Sequence, residues 1–350
     1  MTPYIVMLCI ILFCIWGEGN ATTEKAKRKY LFVALIPYFV LMAFKSRYVG
    51  TDTDSYFDSF EGMGASTWYN FLSYGEFGYV RIEKGYKTLI FLLTRITTDG
   101  QILLFTLGAF SSIALYYFIN ENAKNKCLAL FLFMTLGFFQ FAMTGIRQTF
   151  AISITLFCYK YIKEKKLYKF LLVTLIAYLF HKTAILFFPM YFVAHRELRG
   201  KEIALSFGAM FLLFLVADKL FLAAADVLEL SHYGIESTGN GYIFFLIVLF
   251  ITVLLLRSRR ELISLKSTNS IFINLNFISL ALWTLRLVSR TAERMTLYYM
   301  PYTYVALEEY LSTRRRSARV TYTLVAIVIC SYLFFKRIKD QGLDNFEFFF

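Results

Sequence analysis

Arg286, Arg290, Glu293 and Arg294 recur in the stretch RLVSRTAERMTLYY. Read as one helix, positions i, i+4, i+7 and i+8 fall in one sector at about 100° per residue. Guanidiniums bind phosphate in a bidentate fork, and one carboxylate neutralises only one of them. The pattern therefore reads as a site for an anionic ligand; the competing reading is a purely structural Arg–Glu network. Arg147 follows Gly145 in TGIRQTF. A helix start there would add backbone N–H groups that favour an anion, whereas the plainer reading is an arginine snorkelling from a helix end. His181 and Lys182 adjoin in FHKTA, where His181 is either a proton acceptor or a structural helix-end residue. Asp52 and Asp54 in RYVGTDTDSYFDSFEG read as a solvated turn, as a general base or as a metal ligand pair. Glu76 follows in YGEFGYVRIEKGY.

The elements that must position these groups lie in a membrane. Of the 350 residues, 58% are hydrophobic, 19% aromatic and only 17% charged, against about 25% charged for a soluble domain. That balance excludes a water-soluble globule and a disordered chain. The net charge of +13 is no nucleic-acid face either, because the basic residues sit in loops between apolar runs. The five cysteines form no CxxC pair, so neither a zinc site nor a disulfide framework is expected. The fold class is all-α and polytopic, in one transmembrane domain over 1–350. With roughly 20 apolar residues per crossing, runs at 2–16, 30–44, 101–119, 128–143, 146–162, 167–180, 183–194, 202–219, 241–256, 271–287, 295–311 and 319–335 give about twelve helices. The stretch 85–97 is apolar but short and carries Lys87 and Arg95, so it is expected to lie in the interface.

Basic residues set the orientation. More than half of the 37 Lys+Arg fall in the loops at 17–29, 120–127, 160–169, 195–202, 257–266 and 308–319, which are therefore cytoplasmic. Both termini then face outward, as do a main loop at 45–84 and a second at 220–241. The turns carrying Arg147, His181 and Arg290 face outward too. Tyr48, Tyr56, Tyr69, Tyr74, Tyr79, Tyr86, Tyr298 and Tyr299 at these edges read partly as an interfacial aromatic belt.

The motifs VGTDTDSY, GEFGY, GIRQTFAISI, FHKTAILFFP and SRTAERMTLYY, in this order, resemble the EpsG family of bacterial membrane proteins over about residues 30–310. That family groups with Wzy-type polymerases of exopolysaccharide, capsule and O-antigen. The resemblance implies a polymerase of polyprenyl-diphosphate-linked oligosaccharide units in the inner membrane. Arg147, Arg286, Arg290 and Arg294 would then hold the diphosphate. His181, Asp52 or Glu76 would take the acceptor proton, with Asp54, Lys182 and Glu293 in support. No cofactor is implied, a divalent metal at Asp52 and Asp54 being the less favoured reading. The implied partners are the lipid-linked glycan, the bilayer, and a chain-length regulator and flippase of the same pathway, with no nucleic acid. A flippase for the same lipid-linked sugars, an O-antigen ligase and an export scaffold are the alternatives. A flippase should show internal repeats and charges through the midplane, whereas these charges gather at one face. Reporter fusions at residues 316 and 232 are expected to lie in opposite compartments, and the same compartment for both would contradict this orientation.

Overall fold

The computed structural model describes residues 1–64, 76–77, 80–196, 198–227 and 241–350. In chain order its helices are α1 (Thr2–Gly19), α2 (Glu24–Ala43), α3 (Thr53–Gly64), α4 (Lys84–Thr94), α5 (Gln101–Asn122), α6 (Lys126–Thr135), α7 (Phe138–Ala142), α8 (Ile146–Leu156) and α9 (Cys158–Lys163). They continue as α10 (Leu167–Phe180), a 3-10 turn (Lys182–Phe187), α11 (Met190–Ala194), α12 (Gly200–Val227), α13 (Gly241–Arg257), α14 (Arg259–Leu265), α15 (Asn269–Arg286), α16 (Thr291–Thr296), α17 (Met300–Thr313) and α18 (Arg316–Asp340). Two short antiparallel strands, β1 (Glu76–Phe77) and β2 (Val80–Arg81), are paired.

Four of the described helices are long and apolar enough to cross a bilayer: α1, α5, the Gly200–Ala217 part of α12, and α18. The pair α13 and α14, bent by 69°, makes up to five. The outer faces stay apolar, with Phe211 62%, Leu212 64% and Leu215 61% exposed, as a lipid-facing wall requires. This is a multi-pass, almost wholly helical membrane protein. Helices occur at every expected span, but several are interrupted. The run at 128–143 breaks into α6 and α7 at Gly137, whose φ of +115° only glycine adopts readily. The run at 183–194 splits at Pro189 into the 3-10 turn and α11, since proline disfavours a helical residue before it. The run at 146–162 divides into α8 and α9, and that at 295–311 begins in α16 and resumes in α17. The expected interfacial segment is α4, 11 residues long and short of a crossing at about 1.5 Å per residue. The main loop at 45–84 contains α3. Residues 220–227 of the second expected loop belong to α12, and 228–240 lie outside the described residues.

The chain divides into two compact units. The first comprises Met1–Tyr159, Leu172–Ala184 and Val320–Phe350. In it α2 packs between α1 and α5, α5 also carries α8, and α3 lies on α4. Its core is aromatic: Phe118, Phe131, Phe133 and Phe139 are fully buried, and Tyr38 donates its hydroxyl to Ser111 at 2.9 Å. Glu18 of α1 accepts the backbone N–H groups of Lys126 and Cys127 at 2.8 and 2.7 Å. It thereby caps the positive end of α6. At the other end of α1, the Met1 amine donates to the Asp344 carbonyl, and Lys45 pairs with Phe348. Both termini therefore share one end of this unit with the start of the 45–84 loop.

The second unit comprises Lys160–Leu171 and Ile185–Arg319. Here α15 is the central helix, packed by α11, α12, α13, α16 and α17. Phe244 stacks on Trp283 at 5.2 Å, and the Trp283 indole donates to the Met300 sulfur. Asn274 donates to the carbonyls of Ala194 and Arg196, tying the end of α11 to α15.

Lys45 is fully buried and donates to the Val49 carbonyl, the Thr53 hydroxyl and the Met143 carbonyl. One ammonium thus ties the end of α2, the start of α3 and the turn before α8. Lys45→Met removes these bonds and strands the Met143 carbonyl. It is expected to cost about 1–3 kcal/mol, read as a lower melting temperature in detergent; an unchanged melt would contradict the assignment.

Candidate functional site

In the first unit the site is built on Glu83, which ends the loop before α4 and is that helix's N-cap residue. Its carboxylate does not turn back on its own helix. One oxygen accepts from the Arg147 guanidinium at 2.6 Å, the other from the Lys182 backbone N–H at 3.2 Å. The two side chains are 12% and 7% exposed. Glu83 therefore caps the 3-10 turn while neutralising an arginine at the first turn of α8.

Arg147 owes its position to the break before α8. Gly145 is the N-cap residue, and a Cβ there would come within 2.4 Å of the Phe141 ring. Arg147 does not snorkel to water. Its Nε also donates, at 3.5 Å, to the Tyr56 hydroxyl of α3. Tyr56 meets Tyr86 edge-on at 5.9 Å. Tyr86 is fully buried, and its hydroxyl has no hydrogen-bond partner among the described residues, although the charges of Arg147 and Glu83 act on it.

His181 lies half-buried between α10 and the 3-10 turn. Its Nδ1 meets the Thr183 hydroxyl at 2.8 Å and the Thr183 backbone N–H at 3.3 Å. A backbone N–H only donates, so Nδ1 carries a lone pair and the neutral ring holds its proton on Nε2. This tautomer suits His181 to donate a hydrogen bond better than to accept a proton through Nε2. Lys182 enters the cluster through its backbone N–H on Glu83.

The two aspartates part company. Asp54 is bound by Arg47 at 2.5 Å, together with Asp58 and Glu61. These acids lie one and two turns apart on α3 and hold a single guanidinium. Asp52 is half-buried and close enough to Lys45 to raise its affinity for a proton, against burial, which pushes that amine down to about 7. Asp52 and Asp54 thus answer to different cations. Among the described residues no group of three or more His, Cys, Asp or Glu stands together as metal ligands. Glu76 contributes backbone to the strand pair, facing Arg81 in register; its side chain lies outside the described residues.

The second unit carries its own arginines. The stretch 286–294, one helix by the arginine stripe but a turn by the span boundaries, is broken: α15 ends at Arg286, and α16 starts at Thr291 with Arg290 as N-cap residue. Arg286 is buried and donates Nε to Glu293 at 2.9 Å across that break. Gly241, the first residue of α13, abuts its guanidinium, for a Cβ there would sit 3.0 Å from Nη1. Arg290 is exposed and Arg294 half-buried.

A family model described as the EpsG family matches residues 28–349. The chain belongs to the EpsG family. Its members are Wzy-type polymerases, which places this chain among polymerases of polysaccharide repeat units, a glycosyltransferase-type activity. No curated protein and no solved structure matches it.

For an EpsG-family chain, the residue that sequence reasoning missed is Glu83. Flanked by Arg81 and Lys84, it reads as one charge of a solvated loop. The available signal was its place immediately ahead of an apolar helix. Tyr86, Tyr298 and Tyr299, read as belt residues, are buried at 0%, 0% and 1% exposure, whereas Tyr48 at 74% is exposed. Tyr69, Tyr74 and Tyr79 lie outside the described residues. Tyr299 donates its hydroxyl to the Leu186 carbonyl and serves packing.

The Arg147–Glu83 pair separates architecture from chemistry. Arg147→Met alone leaves a buried carboxylate unpaired, at about 3–5 kcal/mol, and should lower protein level. Arg147→Met with Glu83→Leu removes both charges and should restore the level. If Arg147 meets the substrate, the double variant still makes no polymer; wild-type glycan from it would reduce the pair to a structural role.

Proposed function

We propose that the chain joins polyprenyl-diphosphate-linked oligosaccharide repeat units at the outer face of the bacterial inner membrane. The products would be O-antigen, capsule or exopolysaccharide. The observation that carries this reading is the helix break at 286–291 in a polymerase family. It presents exposed Arg290 and half-buried Arg294 beside Arg286, which is paired with Glu293. Intramembrane charges are retained where they serve a ligand or a water-filled cavity.

In the proposed reaction the acceptor hydroxyl attacks the anomeric carbon of the donor. A carbon–oxygen bond forms, the bond to the diphosphate breaks, and polyprenyl diphosphate leaves. Arg286, Arg290 and Arg294 stabilise the charge that gathers on the departing diphosphate, with Arg147 a fourth candidate. The hydroxyl proton goes to a carboxylate, Asp52 or Glu76. His181, with its proton on Nε2, orients a sugar oxygen as donor. The basic loops support an outward site, by the positive-inside rule. Both termini share an end with the residue 45 loop, which supports the same orientation. Partners in this scheme are the lipid-linked glycan and the bilayer, with a chain-length regulator and a flippase acting on the same pathway.

Deletion followed by profiling of surface glycan tests the scheme. Single repeat units on the acceptor, restored to long chains by the wild-type gene, are expected. Full-length chains held on the lipid carrier would indicate a ligase, and absence of outward-facing units a flippase. Complementation with His181→Gln, which keeps an N–H donor, should retain activity within about tenfold. A loss of about 10²–10⁴-fold would make His181 the base.

A further inference from the structure

Residues 343–349 follow α18 and fold back onto the first unit. The Tyr4 hydroxyl of α1 donates to the Leu343 carbonyl at 2.7 Å, and Phe346 meets the Tyr4 ring edge-on at 5.6 Å. Beyond that anchor the segment pairs antiparallel with the residues that follow α2. Ser46 donates its backbone N–H to the Glu347 carbonyl at 2.8 Å, and Phe349 donates its own to the Phe44 carbonyl at 3.1 Å. The Phe44 and Phe349 rings stack with centroids 6.0 Å apart. The EpsG-family match runs to residue 349 and so takes in this segment.

Lys45 lies between those two backbone bonds, and its buried ammonium donates to the Met143 carbonyl and the Thr53 hydroxyl. Gly50, at a φ of +99°, closes the same junction. A Cβ there would lie 2.3 Å from the Met143 carbonyl oxygen and 2.9 Å from the Thr53 hydroxyl. Two elements leave this junction. One is α3, which starts at Thr53 and carries Tyr56. The other is the turn after Met143, which leads through Gly145 to Arg147 in the first turn of α8. They meet again where Arg147 Nε donates to the Tyr56 hydroxyl at 3.5 Å. A bond of that length stands at the limit of its range, so it has no slack to absorb a shift at the junction. We propose that residues 347–349 are a positioning element for polymerisation: their pairing with Phe44 and Ser46 fixes Lys45, and through Lys45 the place of the Arg147 guanidinium. Neither the segment nor Lys45 touches substrate in this scheme. The inference rests on the substrate role given to Arg147 under the proposed function, and one of its two readouts is independent of that role.

Phe349→Pro removes the N–H that holds the Phe44 carbonyl, whereas Phe349→Leu loses the ring and keeps the N–H. Each is made in the full-length protein, purified into nanodiscs and supplied with lipid-linked repeat units. Phe349→Pro is expected to lower kcat by about tenfold to a hundredfold, the scale of a catalytic group displaced from a distance, with KM and melting temperature near wild type. Phe349→Leu should keep wild-type kcat. Hydrogen exchange at the backbone amides of residues 146–149 should quicken in Phe349→Pro and not in Phe349→Leu. Wild-type kcat in Phe349→Pro, or a kcat that falls only in step with a lowered melt, would overturn the proposal, as would unchanged exchange at 146–149. Wild-type protein that makes no polymer defeats the functional reading beneath it, and the exchange measurement then decides the clasp by itself.

Discussion

The carboxylate of Glu83 is the constraint on which the first unit's site depends. It is nearly buried, and both of its oxygens are committed, one to Arg147 and one to the Lys182 amide. A charge in that setting is tolerated only when paired and hydrogen-bonded. The pairing fixes three segments that are distant in sequence: the start of α4, the start of α8, and the turn that carries His181. A buried ion pair of this kind contributes little net stability over an apolar replacement. Its value lies in geometry, because it holds a guanidinium, a histidine and the Tyr86 hydroxyl in one place.

A second theme is that charge and broken helix coincide. Backbone at membrane depth must satisfy its own hydrogen bonds, and irregular stretches survive only where protein or an aqueous cavity covers them. Arg147 follows the turn at Gly145, His181 ends α10, and Arg290 sits in the gap between α15 and α16. Each break frees helix-end N–H groups that favour anions. Neither unit needs a soluble domain to assemble such ends.

Much of this was legible in the sequence. Apolar runs marked the helices of the expected spans, though not α3 or α14, which lie in expected loops, and arginines stranded among them marked both clusters, since a charge in such surroundings calls for an explanation. What stayed hidden has physical causes. Glu83 sits among other charges, so nothing local distinguishes it from a solvated acid. RLVSRTAE contains neither Gly nor Pro, so the break after Arg286 comes from tertiary packing around α16, not from a local breaker. Asp52 and Asp54 look paired in sequence, but α3 begins at Thr53 and sends Asp54 to Arg47. The buried tyrosines resemble a belt because amphipathic rings suit an interface and a core equally well.

The most direct measurement is polymerisation by the purified protein in nanodiscs, supplied only with lipid-linked repeat units. The account predicts a ladder of glycan on the lipid carrier and one polyprenyl diphosphate released per new glycosidic bond, with the ladder lost in Arg290→Ala. Release of diphosphate without chain growth, or a ladder of wild-type length from Arg290→Ala, would contradict it.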